Sequence, residues 1–350
     1  MGRQAQPMFG TRHALVCIWQ VFDSTPSGCY DADLSKTGNV GGHGGMKIVK
    51  GFIKGVVLVL LSGAVLVGCQ IYRNSATTTL LDKPDEAIRF ASHNVHYILV
   101  NKPEGAWSLG DWNERKASLD AAFKMLDADV IAFQEMESFT AGDEEKFNYA
   151  REWLLEQNPD YSAAAVGDWR EFPSTQPILY RHERLVVEEQ GWFFFSDTPD
   201  TLYSRTYNGS YPAFASWARF HDRESQASFR IINVHFDFRS LDNRLQSAAL
   251  VAERVKPWIE AGESVILAGD LNARLGSATH EILETAGLSF TPVQGATYHL
   301  GYGLNLFGAI DHLAYHGVRG PVSEPVVVRR KFDDQWPSDH YPLLVDIRLQ

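Results

Sequence analysis

Val265-Ile266-Leu267-Ala268-Gly269-Asp270-Leu271-Asn272 is an apolar, strand-like run that ends in two short polar side chains around a leucine. Strand side chains alternate between faces, so Asp270 and Asn272 leave on the same one. Five further stretches have the same build: Ser92-His93-Asn94-Val95, Phe133-Gln134-Glu135, Asn233-Val234-His235-Phe236-Asp237, Ile310-Asp311-His312 and Ser338-Asp339-His340. Each delivers polar groups where a β-rich run leaves its sheet, the place where loops build a site on a rigid scaffold. Taken singly, each has a plain structural reading. Asn94 or Glu135 reads as a turn residue or solvated carboxylate, His235 as a buried, satisfied imidazole, and Asp339 as a turn or helix cap. Six of them in this order are difficult to explain that way.

Working outward, strand-like runs are expected at 87–91, 130–133, 178–180, 214–220, 229–234, 265–268, 309–315 and 341–347. Helical patterns fall at 113–126, 144–156 and 241–259. In the last, Leu245, Ala248, Ala249, Val251, Ala252 and Val255 recur near helical spacing, with Arg244, Glu253 and Arg254 offset. Strands outnumber helices, and several follow one another with no helix between. That favours two mostly mixed or antiparallel sheets with helices outside over a simple alternating fold. No linker or repeat divides residues 86–350, which are compatible with one large α/β (α+β) domain.

The chain has 350 residues, 45% of them hydrophobic and 12% aromatic, enough to bury a large core. This excludes wholesale disorder, a fibre and a disulfide-stapled miniprotein. The net charge of −11 argues against attachment to nucleic acid through a broad basic surface. An enzyme whose carboxylates hold a metal ion is allowed.

Residues 56–67 form the only long apolar run, preceded by Lys47, Lys50 and Lys54. By itself the run is too short to span a bilayer, which needs roughly 20 apolar residues. A basic region, a short apolar region and small residues at the end make a secretory signal. Its end, Leu66-Val67-Gly68-Cys69, resembles the lipobox of bacterial lipoproteins, which implies acylation of Cys69. The expected organisation is an extension over 1–45 lying upstream of a start at Met46, a signal peptide over 46–68, a linker over 69–85 and the domain over 86–350. Gln70 after the cysteine points to the outer rather than the inner membrane of a bacterial envelope. With Cys17, Cys29 and Cys69 the only cysteines, nothing after residue 69 can form a disulfide. Without residues 1–68 the chain keeps 26 basic against 40 acidic side chains, a net charge of −14.

The six ordered motifs resemble those of the endonuclease/exonuclease/phosphatase superfamily, over about residues 88–347. This metal-dependent fold is shared by pancreatic-type deoxyribonucleases, abasic-site endonucleases, deadenylases, bacterial sphingomyelinases and inositol-polyphosphate phosphatases. The resemblance implies a four-layered sandwich, two central sheets flanked by helices, with the site at one end. Cleaving a phosphoester at neutral pH needs a hard cation, a water that loses its proton and donors for the charge that builds up. Glu135 is the expected principal ligand for Mg²⁺ or Mn²⁺. The resemblance adds Asn94 as a ligand or orienting residue and Asp339 as a further ligand. Asp270 would orient or deprotonate the attacking water, and Asn272 would donate to a phosphate oxygen. His340 and His235 would donate to the phosphate, with Asp311 orienting or charging one imidazole. Some members carry an acidic residue where this chain has His96.

For the substrate, the stretches 176–181, 192–200, 214–219 and 239–244 resemble bacterial members of the deadenylase-like branch. Arg239 and Arg244 flank the His235 motif and either meet a substrate phosphate or are surface charge at a helix N-terminus. Trp192-Phe193-Phe194-Phe195 reads as core packing before base stacking or lipid insertion. The expected activity is a metal-dependent phosphodiesterase or nuclease, with nucleic acid slightly preferred as substrate. The alternatives are a phosphatase or sphingomyelinase-type phospholipase acting on lipid headgroups and, last, a non-catalytic lipoprotein scaffold. No protein partner is expected, and the membrane is met through the N-terminal anchor.

Overall fold

Runs such as Val265-Ile266-Leu267-Ala268 are apolar on both faces because both faces are covered. A computed structural model describes residues 44–76, 79–139 and 147–350. In chain order the first strands are β1 (Ile88–Asn94), β2 (Ile98–Leu99), β3 (Val130–Gln134), β4 (Ser138–Phe139), β5 (Tyr161–Ala164), β6 (Ile178–Arg181), β7 (Leu185–Phe194) and β8 (Phe214–Asp222). They are followed by β9 (Ser228–His235), β10 (Ser264–Asp270), β11 (Ser289–Phe290), β12 (Asp311–His316), β13 (Val318–Pro321), β14 (Val326–Val327) and β15 (Leu343–Leu349). The helices are α1 (Gly44–Asn74), α2 (Leu109–Leu126), α3 (Tyr149–Gln157), α4 (Leu241–Glu260) and α5 (Ala278–Thr285).

One sheet has the order β13-β15-β1-β3-β6-β5, with β14 also on β15, and the other β11-β12-β10-β9-β8-β7. Both mix parallel and antiparallel pairs. Phe90, Val130 and Val345 of the first sheet meet Phe220, Ile231 and Ile266 of the second. Their sequence neighbours point outward: Ala91, Ile131 and Leu344 toward Leu119, Phe123 and Leu126 of α2, and Ile232, Val265 and Leu267 toward Val251 and Val255 of α4. The period of two thus builds four layers from single apolar runs. All eight expected strands are present, as are the three helices. α2 and α4 start where Ser108 and Ser240 accept the amide hydrogens of Asp111 and Asn243 at 3.1 Å. Phe193, Phe194 and Phe195 are buried, as the packing reading expects. The helix expected over 144–156 is described from Tyr149, because residues 140–146 lie outside the described residues. The short α5 escaped the periodicity argument.

At one end of the sandwich the sheets are tied by buried charge. Arg184 donates to Asp129 and to Asp222 at 3.0 Å each, and Arg89 pairs with Asp346 at 2.8 Å. All five side chains are buried.

A buried histidine makes the fold acid-sensitive. His280 of α5 packs against Phe290 and His312 with ring centroids 4.5 Å away in each case, and its Nε2 has no partner among the described residues. Burial, helped by His312, pushes its pKa down to about 3. The folded state therefore refuses a proton that the unfolded chain takes below about pH 6.5, so this contribution is complete above that pH and shrinks as pH falls. Unfolding free energy should fall by about 2 kcal/mol from this group between pH 7.5 and pH 5. Denaturant titrations at both values, on wild type and His280→Gln, check this. An unchanged pH difference in the variant removes His280 as the cause.

The molecule divides into two units within α1, at Val59 and Leu60. The residues expected to precede the start, 1–45, lie almost wholly outside the described residues, as do Cys17 and Cys29. The helix continues beyond the apolar run of residues 56–67 on both sides, and over Phe52–Asn74 it is long and apolar enough to cross a membrane, a test that a signal sequence also passes. It carries Cys69, exposed, through to Asn74, so the first residues of the expected linker are helical.

Candidate active site

Sheet register gathers the site. β1 and β3 run parallel with Asn94 opposite Gln134, so Asn94 and Glu135 leave at the same end. In the second sheet His235 lies opposite Asp270, and Asp270 opposite Asp311. Two ladders thus set three motif residues side by side. Gly269 makes the β9–β10 approach possible: a Cβ there would lie 1.9 Å from the Val234 carbonyl oxygen. Glu135 and Asn272, each just past a strand, take left-handed φ values of 52° and 47°. Such backbone is uncommon outside glycine and recurs where a side chain must be aimed into a site.

The side chains then meet across the two sheets. Asn94 Nδ2 donates to Glu135 Oε1 at 3.1 Å and to Asp270 Oδ2 at 3.2 Å. His235 Nε2 lies 3.8 Å from Glu135 Oε1 and 3.7 Å from Asp270 Oδ2. His340 Nε2 approaches the same Asp270 oxygen at 3.7 Å, and its Nδ1 donates to Asp311 Oδ2 at 2.9 Å. The Asn272 amide N–H donates to Asp270 Oδ1 at 2.9 Å. Beneath the site Gln134 Nε2 donates to Asn233 Oδ1, and Asn233 Nδ2 to the Phe133 carbonyl, both at 2.7 Å, which fixes one sheet against the other.

The charges follow from burial. Asp270 is held above the ordinary carboxylate range by burial and by the charge of Asp311, although His340 and His235 pull it back. For His340 burial alone would disfavour the cation, but Asp311, Asp270 and Asp339 outweigh it and hold its pKa well above the usual imidazole value. Burial likewise opposes ionisation of Asp311 and Asp339, but His340 outweighs it for the first, and His96, His340 and His299 for the second. The result is an imidazolium on a carboxylate beside a carboxyl group poised to accept a proton.

Asn94, Glu135, His235, Asp270, Asp311 and His340 therefore form one network. Asp339 sits at its edge, where its backbone carbonyl accepts the His299 amide hydrogen at 2.9 Å. Asn272, expected to hold a phosphate oxygen, donates one amide hydrogen to the Phe236 carbonyl at 2.9 Å. Arg244 donates to the Asp237 carbonyl at 2.8 Å and lies within electrostatic reach of Asp270, while Arg239 is exposed over the Phe238 ring. His96, φ 62°, stacks on Trp107 at 4.6 Å.

Two supporting residues escaped the sequence reading. Arg115, buried on α2, donates to the carbonyls of Val95, His96 and Pro337 at 2.8, 3.1 and 3.0 Å, joining the loops that carry Asn94 and Asp339. Its Asp111 partner four residues earlier made it look like an ordinary helix-surface pair. Tyr298 packs its ring 4.8 Å from that of His340, and no sequence signal marks it.

The chain matches the model of the endonuclease/exonuclease/phosphatase family over residues 91–340. It belongs to that family. Structures with the same fold include an endonuclease/exonuclease/phosphatase family protein from Bacteroides thetaiotaomicron, at 22% identity and TM-score 0.63 over 75% of this chain and 98% of that one. A mannosyl-6-phosphatase from the same organism follows at 22% and 0.59, covering 74% and 99%. TDP2 from D. rerio, complexed with a single-strand DNA product, gives 15% and 0.51, covering 75% and 99%. Comparison with curated proteins gives no match. As a family member the chain is an enzyme of the phosphoester-hydrolase class, and family enzymes are generally dependent on a divalent metal.

The residues fit such an ion. Glu135 and Asp339 offer hard oxygen donors, Asn94 orients the Glu135 carboxylate while its own oxygen accepts the His96 amide hydrogen, and the Glu135 side chain is 24% exposed, leaving room for the waters that Mg²⁺ retains. Asp270, Asp311 and His340 also bring ligand atoms within 4.8 Å of one another. These three are buried, with His340 already donating to Asp311 and Asp270 accepting from the Asn272 amide, so the more open Glu135 edge suits a hydrated ion better. Glu135→Gln should weaken metal affinity by at least about 10-fold and lower activity with it. Calorimetric titration with Mg²⁺ and Mn²⁺ checks this, and an unchanged affinity takes Glu135 off the ligand set.

Proposed function

We propose that the chain is a divalent-metal-dependent phosphodiesterase that hydrolyses its substrate by one in-line attack of water. The observation carrying this reading is the convergence of His235 and His340 on a single Asp270 oxygen at 3.7 Å each. Asp270, kept basic enough to accept a proton, orients and deprotonates the attacking water. His340, held cationic by Asp311, and His235 donate to the phosphate oxygens as negative charge builds. A divalent cation held by Glu135 and Asp339, with Asn94 orienting Glu135, would supply Lewis-acid neutralisation of the phosphate. No covalent intermediate is required.

Charge compensation favours the diester over the monoester. Arg115 spends its guanidinium on backbone carbonyls, and Arg244 is turned to the Asp237 carbonyl. With Arg239 the exposed guanidinium left beside the His235 motif among the described residues, a singly charged diester needs less compensation than a doubly charged monoester. Nucleic acid and choline-type lipid headgroups both belong to this class.

The test compares bis(p-nitrophenyl) phosphate with p-nitrophenyl phosphate, with Mn²⁺ or Mg²⁺ and then with chelator. His340→Ala controls for contaminants. Diester turnover that needs metal and His340 supports the proposal, and release from the monoester alone replaces it with a phosphatase. DNA, RNA and sphingomyelin follow.

A further inference from the structure

The end of α1 is fastened to the loop that braces the catalytic histidine. Asn74, buried at 8% exposure, donates from Nδ2 to the Asn305 carbonyl at 3.1 Å, and its own carbonyl accepts the Ala296 amide hydrogen at 2.9 Å. Asn305 Nδ2 returns a bond to Ser75 Oγ at 2.8 Å, and Arg329 clamps the Ala76, Gln294 and Ala296 carbonyls. The fit is close: a Cβ on Gly295 would lie 2.4 Å from the Asn74 carbonyl oxygen. The same loop reaches the site. Thr297 Oγ1 accepts the Asp311 amide hydrogen at 3.1 Å, Tyr298 pairs with His340, and the Thr297 carbonyl accepts the Tyr341 amide hydrogen at 2.7 Å. Between dock and site the loop exposes Tyr302 at 79% and Leu304 at 42%.

The segment leading into that dock is the apolar helix over Phe52–Asn74. From Cys69 to Asn74 it remains helical, a rise of about 7.5 Å. That is no longer than the ~8 Å over which charges act in physiological salt. The part of the helix over residues 60–74 and the loop to which Asn74 is fastened lie in one unit. In a chain with net charge −14 after residue 68, Arg73 stands exposed beside Asn74, and Arg330 and Lys331 stand exposed beside Arg329, with Asp333 and Asp334 the exposed acidic residues that follow them. Lys331 lies over the Trp336 ring, which stacks on His299 of the same loop at 4.5 Å. Basic side chains near a bilayer add roughly 1 kcal/mol each on anionic lipid.

We infer that this face, the 294–306 loop with Arg73, Arg330 and Lys331, docks on the anionic surface of the bilayer that holds α1, so that the active site opens at the headgroup layer. The substrate is then a phosphodiester carried at that surface. The substrate statement rests on the phosphodiesterase reading; the orientation does not.

The test uses the full chain in phosphatidylcholine vesicles with a minority of phosphatidylglycerol and bromine-labelled acyl chains as quencher. A fluorescent amino acid replaces Tyr302 in one sample and Glu260 in another. Glu260 ends α4 near the far end of β10, about 20 Å from Asp270. Loss of fluorescence at 302 and none at 260 supports the orientation, and Arg330→Glu with Lys331→Glu should reverse that loss without changing turnover of a soluble diester. No loss at 302, or equal loss at both positions, overturns it. Diester turnover is followed in the same vesicles. Quenching at 302 without turnover upholds the orientation and fails the phosphodiesterase reading; turnover without quenching does the reverse.

Discussion

Asp270→Asn should lower kcat for diester hydrolysis by about 10²–10⁴-fold, the range for removal of a positioned general base. The substitution keeps size and an acceptor for the Asn272 amide, 2.9 Å from Asp270 Oδ1 in the wild type, so loss of folding is not the expected cause. It removes the buried carboxylate on which His235 and His340 converge. Metal affinity should change less than in Glu135→Gln, because the proposed ion sits at the Glu135 edge. Combining Asp270→Asn with His340→Ala should cost little more than either alone, since groups that act as one unit are not additive. Single-turnover rates and metal titrations on the three variants check this. Undiminished kcat in Asp270→Asn would remove the assigned base.

The second large effect is on stability. Arg184→Met should destabilise the fold by about 3–5 kcal/mol, because it leaves Asp222 and much of Asp129 as uncompensated buried charge. Lys83 still reaches Asp129 at 2.8 Å, but Arg184 spans both carboxylates and also donates to the Ala87 carbonyl at 2.9 Å. The matched control is Arg219→Met, whose pairs with Glu188 and Glu263 are part-exposed and contribute at most about 1 kcal/mol. Denaturant titration measures both. The network lies at the end of the sheets opposite Asp270, so activity below the unfolding transition should persist. Equal stability losses in the two variants would refute the buried-charge argument.

The fold was legible because its central strands, β1, β3 and β10 above all, are buried on both faces. Their apolar runs stand out in the sequence, and a turn or polar pair marks where each ends. α5 was not legible, being eight residues long with its buried face carried by Thr279, His280 and Leu283. The length of α1 was not legible for a related reason: strongly apolar residues mark only 56–67, and Gly68-Cys69-Gln70-Ile71-Tyr72 continues the helix to Asn74 without such a signal.

The six motifs and their order are properties of the chain alone. Local chemistry at strand ends fixes which residue types emerge there, and the family resemblance adds their roles, so Asn94, Glu135, His235, Asp270, Asp311 and His340 stand among the candidates read from the sequence, together with Asn272 and Asp339. Which of them touch is a property of register and of sheet packing, both long-range. The pairing of Asp311 with His340 spans 29 residues, that of Asn94 with Asp270 spans 176, and neither spacing has a periodicity to read. The same holds for Arg115, whose three carbonyl partners come from two distant loops, and for Asn74, whose partner lies 231 residues further on. Tertiary structure decided these, because a buried donor takes whichever carbonyl folding brings to it.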